Sequence, residues 1–268
     1  MADPVKTIRT TLLALSQGSK PPVMEDDGIR LSARIAGNAV AEFEIENDLI
    51  RASCGYTASW SDDPGEYMFR LEKTAPKDDV EEIIILCETI TDTERRFREA
   101  VQESYQIRKD QEGMDLGHPA KSHPSAGSDP WRETPIRIGF HPGEWGWSEL
   151  FSMMRAALQA NGFDLDHLYV KDKDGKYSNR FQSHAGMIGS QSDLIDIEFT
   201  GSQKKAKAVS ISRRATYERN GLIMDVTVKD ILNVPTMFFN PRSWLTAMIG
   251  RIAVSRMKPF EPLFKEEI

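Results

Sequence analysis

The sequence predicts an α+β fold of antiparallel, hairpin-rich sheets with packed helices, in two lobes joined by a Pro/Gly-rich linker. Strand-length runs follow one another through tight-turn signals, and the amphipathic helical stripes mixed among them lack the regular β-α alternation of doubly wound proteins. Residues 110–135 hold four Pro and three Gly with almost no aliphatic side chains, too little apolar surface to offset the entropy of ordering them. Net charge also changes there, from -8 over residues 1–110 to +1 over residues 111–268. The expected division is an acidic α+β lobe over 1–109, a linker or long loop over 110–135, and a second α+β lobe over 136–268 carrying a basic hairpin and a terminal helix.

In chain order, Asp3 can cap a helix that Pro4 opens, Val5, Ile8, Leu12 and Leu15 give it one apolar stripe, and Gly18 ends it. After Pro21-Pro22, strands are expected over 29–35, 39–45, 49–59 and 67–73. Glu42, Glu44 and Glu46 alternate with Ala41, Phe43 and Ile45, as on a half-buried strand with an acidic outer face. Residues 80–107 are ambiguous. Asp79 with Glu82 and Thr91 with Glu94 could both form capping boxes, whereas the β-branched run Ile83-Ile84-Ile85 favours a buried strand. The reading adopted is a strand over 82–90 and a helix over about 93–109 with Phe97, Val101 and Tyr105 on one face; a single helix is the competitor.

Beyond the linker, a strand is expected over 136–140. A helix follows over 148–160, with Phe151, Met154 and Leu158 on one face and Asn161-Gly162 as its stop. Runs 168–171 and 176–181 flank Asp174-Gly175, a hairpin signal, and 194–199 reads as a strand. The strongest local signal is Asn220-Gly221, which fits a two-residue type I′ turn. It pairs Tyr217 with Met224 and Ala215 with Val226, and puts Val209, Ile211, Val226 and Val228 on one face. Asn240-Pro241 opens a last helix carrying Leu245, Met248, Ile249 and Ile252, and the tail after Pro259 reads as extended. No internal repeat or heptad series is visible.

Composition narrows the function classes. The chain has 268 residues and 30.3 kDa, with 40% hydrophobic and 28% charged residues and 23 aromatic side chains, which excludes wholesale disorder. Two Cys cannot build a disulfide scaffold. A net charge of -7 argues against coating nucleic acid along the whole surface. No apolar run reaches the roughly 18–20 residues that span a bilayer, and the N-terminus lacks a signal-peptide profile. A cytoplasmic location without membrane contact is the expectation.

Motifs for chemistry are sparse. Neither a P-loop nor a dinucleotide-binding glycine fingerprint occurs. Asp172, Asp174 and Gly175 do not make a calcium loop, because Val170 and Phe181 fall where its terminal acids should stand. His118 and His123 lack the partners of a zinc site. His141, Glu144, Trp145 and Trp147 could rim a pocket, although a turn whose Trp residues cap the core explains them better. Cys87 sits in an apolar run, and Cys54 has no evident partner base. On a strand over 194–199, Asp196 and Glu198 share one face. They could hold Mg²⁺ or Mn²⁺, with Lys204 stabilising phosphate charge. This pattern loosely resembles metal-dependent nucleases of the PD-(D/E)xK type, but Thr200 occupies the position of that motif's lysine. A solvated strand face pairing with Arg213, Arg214 or Lys229 across the sheet is the better account of the two acids.

Lys204, Lys205, Lys207, Arg213, Arg214 and Arg219 form a basic segment interrupted by Glu218 alone. Sparse aromatic interleaving and overall acidity favour docking to an acidic protein surface, ahead of nucleic acid. The expectation is therefore a non-enzymatic cytoplasmic binding protein, an adaptor or a subunit of an assembly, using those six cations with Trp145 and Trp147 and requiring no cofactor. The competing expectation is a metal-dependent phosphodiesterase or nuclease using Asp196 and Glu198.

Overall fold

The structure is a computed structural model that describes residues 3–16, 23–26, 30–36, 39–112, 145–163, 179–233, 245–246 and 248–265. Helix α1 (Pro4–Leu15) precedes strands β1 (Val23–Asp26), β2 (Arg30–Ala36), β3 (Ala39–Ile45), β4 (Leu49–Trp60) and β5 (Asp63–Pro76), followed by helix α2 (Val80–Glu112). Helix α3 (Trp147–Ala160) then precedes β6 (Arg180–His184), β7 (Ser192–Ser202), β8 (Lys205–Arg219) and β9 (Leu222–Asn233). The described part of the terminal segment holds a π-helix (Gly250–Ser255), a 3-10 turn (Lys258–Phe260) and helix α4 (Glu261–Lys265). All nine described strands form one antiparallel sheet in the order β1-β2-β3-β4-β5-β9-β8-β7-β6. The predicted α+β class, with its hairpin-built antiparallel sheet, is the observed one.

The alternation read from the sequence sets the two faces. Ile50, Ala52 and Cys54 of β4, Tyr67, Phe69 and Leu71 of β5, and Met224, Val226 and Val228 of β9 are buried. Arg51, Glu66, Arg70, Asp225 and Lys229 alternate with them on the opposite face. Helix α2 covers the apolar face over β4 and β5, and the terminal helices cover it over β8 and β9. The linker was expected to begin at residue 110, yet α2 continues through Glu112; residues 113–135 lie outside the described ones. The strands of the two sequence halves join at β5–β9, and their buried residues form one hydrophobic cluster.

Residues 82–90 are a correction, because they are helical and belong to α2. Asp79 caps its first turn, accepting hydrogen bonds from the backbone N–H groups of Glu81 and Glu82. Ile83, Leu86, Cys87, Ile90, Phe97 and Val101 are all buried at three- and four-residue spacings. The β-branched run favours a strand locally, but only the helical period turns all of these residues toward the sheet. Phe97 then stacks on Phe69 of β5, with ring centroids 5.4 Å apart.

The tail is the second correction. It is helical and buried, not extended: Met257, Phe260, Leu263 and Phe264 enter the core at helical spacing. Leu245, Met248, Ile249 and Ile252 are buried as expected of the last helix, although Gly250–Ser255 takes π-helical geometry. The β8–β9 hairpin follows its sequence signal closely. Asn220 and Gly221 have φ of 53° and 79°, and the partners are Tyr217↔Met224 and Ala215↔Val226. The expected strands over 136–140 and 168–171 and the Asp174-Gly175 turn lie outside the described residues.

Buried ion pairs link distant parts of the chain. Arg256, fully buried, donates to Asp63 Oδ1 and Oδ2 at 3.0 and 2.7 Å and to the Tyr67 hydroxyl at 2.7 Å. Arg251 pairs with Asp230 at 2.9 Å, and Arg108 at the end of α2 lies 3.5 Å from that carboxylate. These contacts fasten α2, β5 and β9 to the terminal segment.

Candidate functional site

Asp196 and Glu198 project from β7 on the open face of the sheet, as their alternation requires. The β6–β7 register sets Arg180 across from Glu198, and its guanidinium reaches Asp196 in a two-pronged ion pair, with Nε 3.0 and 2.9 Å from the carboxylate oxygens. The sequence reading offered Arg213, Arg214 or Lys229 as partners; the missed signal was the pairing of 180–184 with β7. Lys204 lies in the β7–β8 turn, beyond the end of the strand. Among the described residues, no group of three or more His, Cys, Asp or Glu is placed to hold a metal ion.

The basic segment is divided by the pleat. Arg213 points into the core, where it forms a bidentate pair with Asp193, Nε to Oδ1 at 2.8 Å and Nη2 to Oδ2 at 2.6 Å, and donates to the carbonyl of Ala253. Asp193 also accepts from the backbone N–H of Met187, so Arg213 serves packing between β7, β8 and the π-helix. Arg214 points outward and pairs with Asp225 on the adjacent strand. Arg219 lies at the far end of β8. The six cations are therefore not one patch.

Three of them remain together with both Trp residues. Lys204, Lys205 and Lys207 surround the β7–β8 turn and are exposed. The segment Trp145–Trp147 lies against that turn: the Trp147 N–H donates to the Gln203 carbonyl at 2.9 Å, and the Ala206 N–H donates to the Trp145 carbonyl at 2.8 Å. Gly146 between them is required by space, since a Cβ there would lie 2.9 Å from the Gln203 carbonyl oxygen. Trp145 is buried in the core and Trp147 is half-buried, so Trp145 caps the core as the turn reading supposed. His141 and Glu144 lie outside the described residues. What results is a basic corner whose turn is stiffened by two backbone hydrogen bonds to the Trp145–Trp147 segment, with Glu149 of α3 close to Gly146. Gln203 and Ala206, which build it, carry no sequence signal for that role.

The thiols do not offer nucleophiles. Burial pushes both Cys54 and Cys87 up to about 12, with Glu94 adding to the effect at Cys54 and Glu88 at Cys87. His184 is exposed at the end of β6; the other four His lie outside the described residues.

No family model matches the sequence, and no curated protein is similar to it. A solved structure, the di-domain ARO/CYC BexL from the BE-7585A biosynthetic pathway, is similar at 11% identity over 98% of this chain and 94% of that one, with a TM-score of 0.17. A likeness at that score carries no argument about fold or function. No described helix is long and apolar enough to cross a membrane.

Proposed function

We propose that this chain acts by binding, as an adaptor or subunit of a cytoplasmic assembly, and that its Lys204–Lys205–Lys207 corner docks an acidic surface of a protein partner. The observation that carries the reading is the bracing of the lysine turn by the backbone of Trp145 and Trp147, which gathers three exposed lysines around one braced turn. Clustered positive charge of this kind favours encounter with a complementary surface. The two acids of the nuclease alternative share their strand face with Arg180, which competes with any cation for the Asp196 carboxylate. Arg213 and Arg214 leave the docking set, because each is held by an aspartate of its own sheet.

The test uses polyglutamate as the acidic polypeptide probe and a DNA duplex as the anionic comparator, with binding read by fluorescence anisotropy. Polyglutamate should bind the wild type in preference to the duplex, and Lys204→Glu with Lys207→Glu should weaken that binding by about tenfold or more. Equal binding by wild type and variant, both folded, defeats the reading. Preference for the duplex, or its cleavage in Mg²⁺ or Mn²⁺ that disappears in Asp196→Ala, supports the nucleic-acid alternative instead.

A further inference from the structure

The sheet has an internal two-fold relation that the sequence does not reveal. Each half runs helix, antiparallel meander, helical segment, and the last strands of the two meanders, β5 and β9, pair at the centre. β5 and β9 pair antiparallel from Glu66↔Thr227 to Leu71↔Leu222, so exchanging the halves sends β5 to β9, β4 to β8 and β3 to β7.

Under this relation the counterpart of the β7–β8 turn is the β3–β4 turn, residues 46–48, at the opposite end of the sheet. Counted along the strands, about 20 residues lie between the two turns, on the order of 65 Å at ~3.3 Å per residue before sheet twist, several Debye lengths in ordinary salt. Their charges are opposite. At the β3–β4 turn Glu46 and Asp48 are exposed, and the Lys77 N–H donates to the Asp48 carbonyl at 3.0 Å, which brings the start of α2 alongside. Glu81 and Glu82 of its first turn are exposed there, against Lys77 and the Arg51 already paired with Glu46 at 3.1 Å. Leu49 and Val80, 42% and 38% exposed, lie within this acidic rim and give it the apolar centre that a docking surface needs. The basic end offers the complement, Lys204, Lys205 and Lys207 around half-buried Trp147.

We infer that the partner of the lysine corner is a second copy of this chain, docked head to tail with its Glu46, Asp48, Glu81 and Glu82 end against the lysines of the first. The inference rests on the reading of that corner given above and adds the identity of the acidic surface. Like ends repel, so the contact is heterologous, and it propagates into chains or rings instead of closing as an isologous dimer. Because the charges are exposed, association strengthens at low salt and fades as salt rises.

Sedimentation velocity of the full-length protein at about 20 mM and about 500 mM NaCl tests this across concentrations up to about 100 µM. Species larger than 30.3 kDa should form at low salt and disappear at high salt. Lys204→Glu with Lys207→Glu makes both ends acidic, and Glu81→Lys with Glu82→Lys removes the net negative charge of the acidic end, where Asp78 and Asp79 are also exposed. Each variant alone should stay monomeric at low salt, while a mixture of the two should associate, which also shows that both are folded. A wild type that is monomeric at low salt, or association that neither reversal changes, overturns the inference. If the monomeric wild type still binds polyglutamate through Lys204 and Lys207, self-association falls and the reading of the corner stands; if it does not, both fall.

Discussion

Glu94 is a fully buried carboxyl in the middle of α2, with Arg98 one turn away at 3.3 Å. Burial raises its pKa above the ordinary 4.5, and the Arg98 guanidinium only partly offsets that. The unfolded chain ionises this group in the usual glutamate range, whereas the folded chain resists, so its stabilising contribution is present at low pH and lost as pH rises through the folded value. Glu94→Gln should therefore raise the urea midpoint at pH 8, with the gain shrinking toward pH 4. A gain that grows on acidification would contradict the assignment. At Asp63 and Arg256 the argument concerns removal of one partner from a dry pair. Asp63→Asn leaves the Arg256 charge uncompensated in the core and should cost about 3–5 kcal/mol by denaturant unfolding. Replacing both, Asp63→Leu with Arg256→Met, should recover only part of that loss, because it removes the uncompensated charge but leaves the Gly65 N–H and the Tyr67 hydroxyl without the Asp63 carboxylate that accepts from them.

At the scale of an element, the β8–β9 turn depends on both local and distant structure. Gly221 has φ of 79°, and a Cβ there would also lie 2.1 Å from the Glu72 carbonyl oxygen of β5. Gly221→Val combines left-handed backbone strain with a clash against a neighbouring strand and should cost about 2–4 kcal/mol in thermal unfolding. Asn220→Ala meets only the strain and should cost about 1 kcal/mol. The Asn-Gly signal made the turn type legible, while the approach of Glu72 was not, because β5 lies some 150 residues earlier in the chain. Residues 82–90 illustrate the reverse case. Their β-branched run pointed to a strand, and the longer apolar period through Val101, packed on β4 and β5, decided for a helix.

At the scale of the molecule, the seam between the halves runs through the middle of the sheet. Six residue pairs join β5 to β9, Arg256 pairs with Asp63 across it, and one core serves both sides. A protease site engineered within residues 113–144 and cut to completion should leave both fragments in a single gel-filtration peak, separable only in denaturant. Fragments that elute apart without denaturant would mean that each half is held by its own core.

The sequence by itself determined the strand alternation, the type I′ hairpin and its register, the capping of α1 and the overall α+β class, because these depend on contacts within a few residues or on a period along one element. It also placed Lys204, Lys205 and Lys207 near one another by adjacency alone. Tertiary structure decided the single nine-stranded sheet, the helical path of the tail, the burial of Arg213 on Asp193 and the pairing of Asp196 with Arg180. It alone set the tryptophan segment against the lysine turn and the acidic turn at the opposite end of the sheet. The physical reason is range: pleat and turn chemistry act between neighbours, while strand order and ion-pair partners follow from burying one apolar face common to distant parts of the chain.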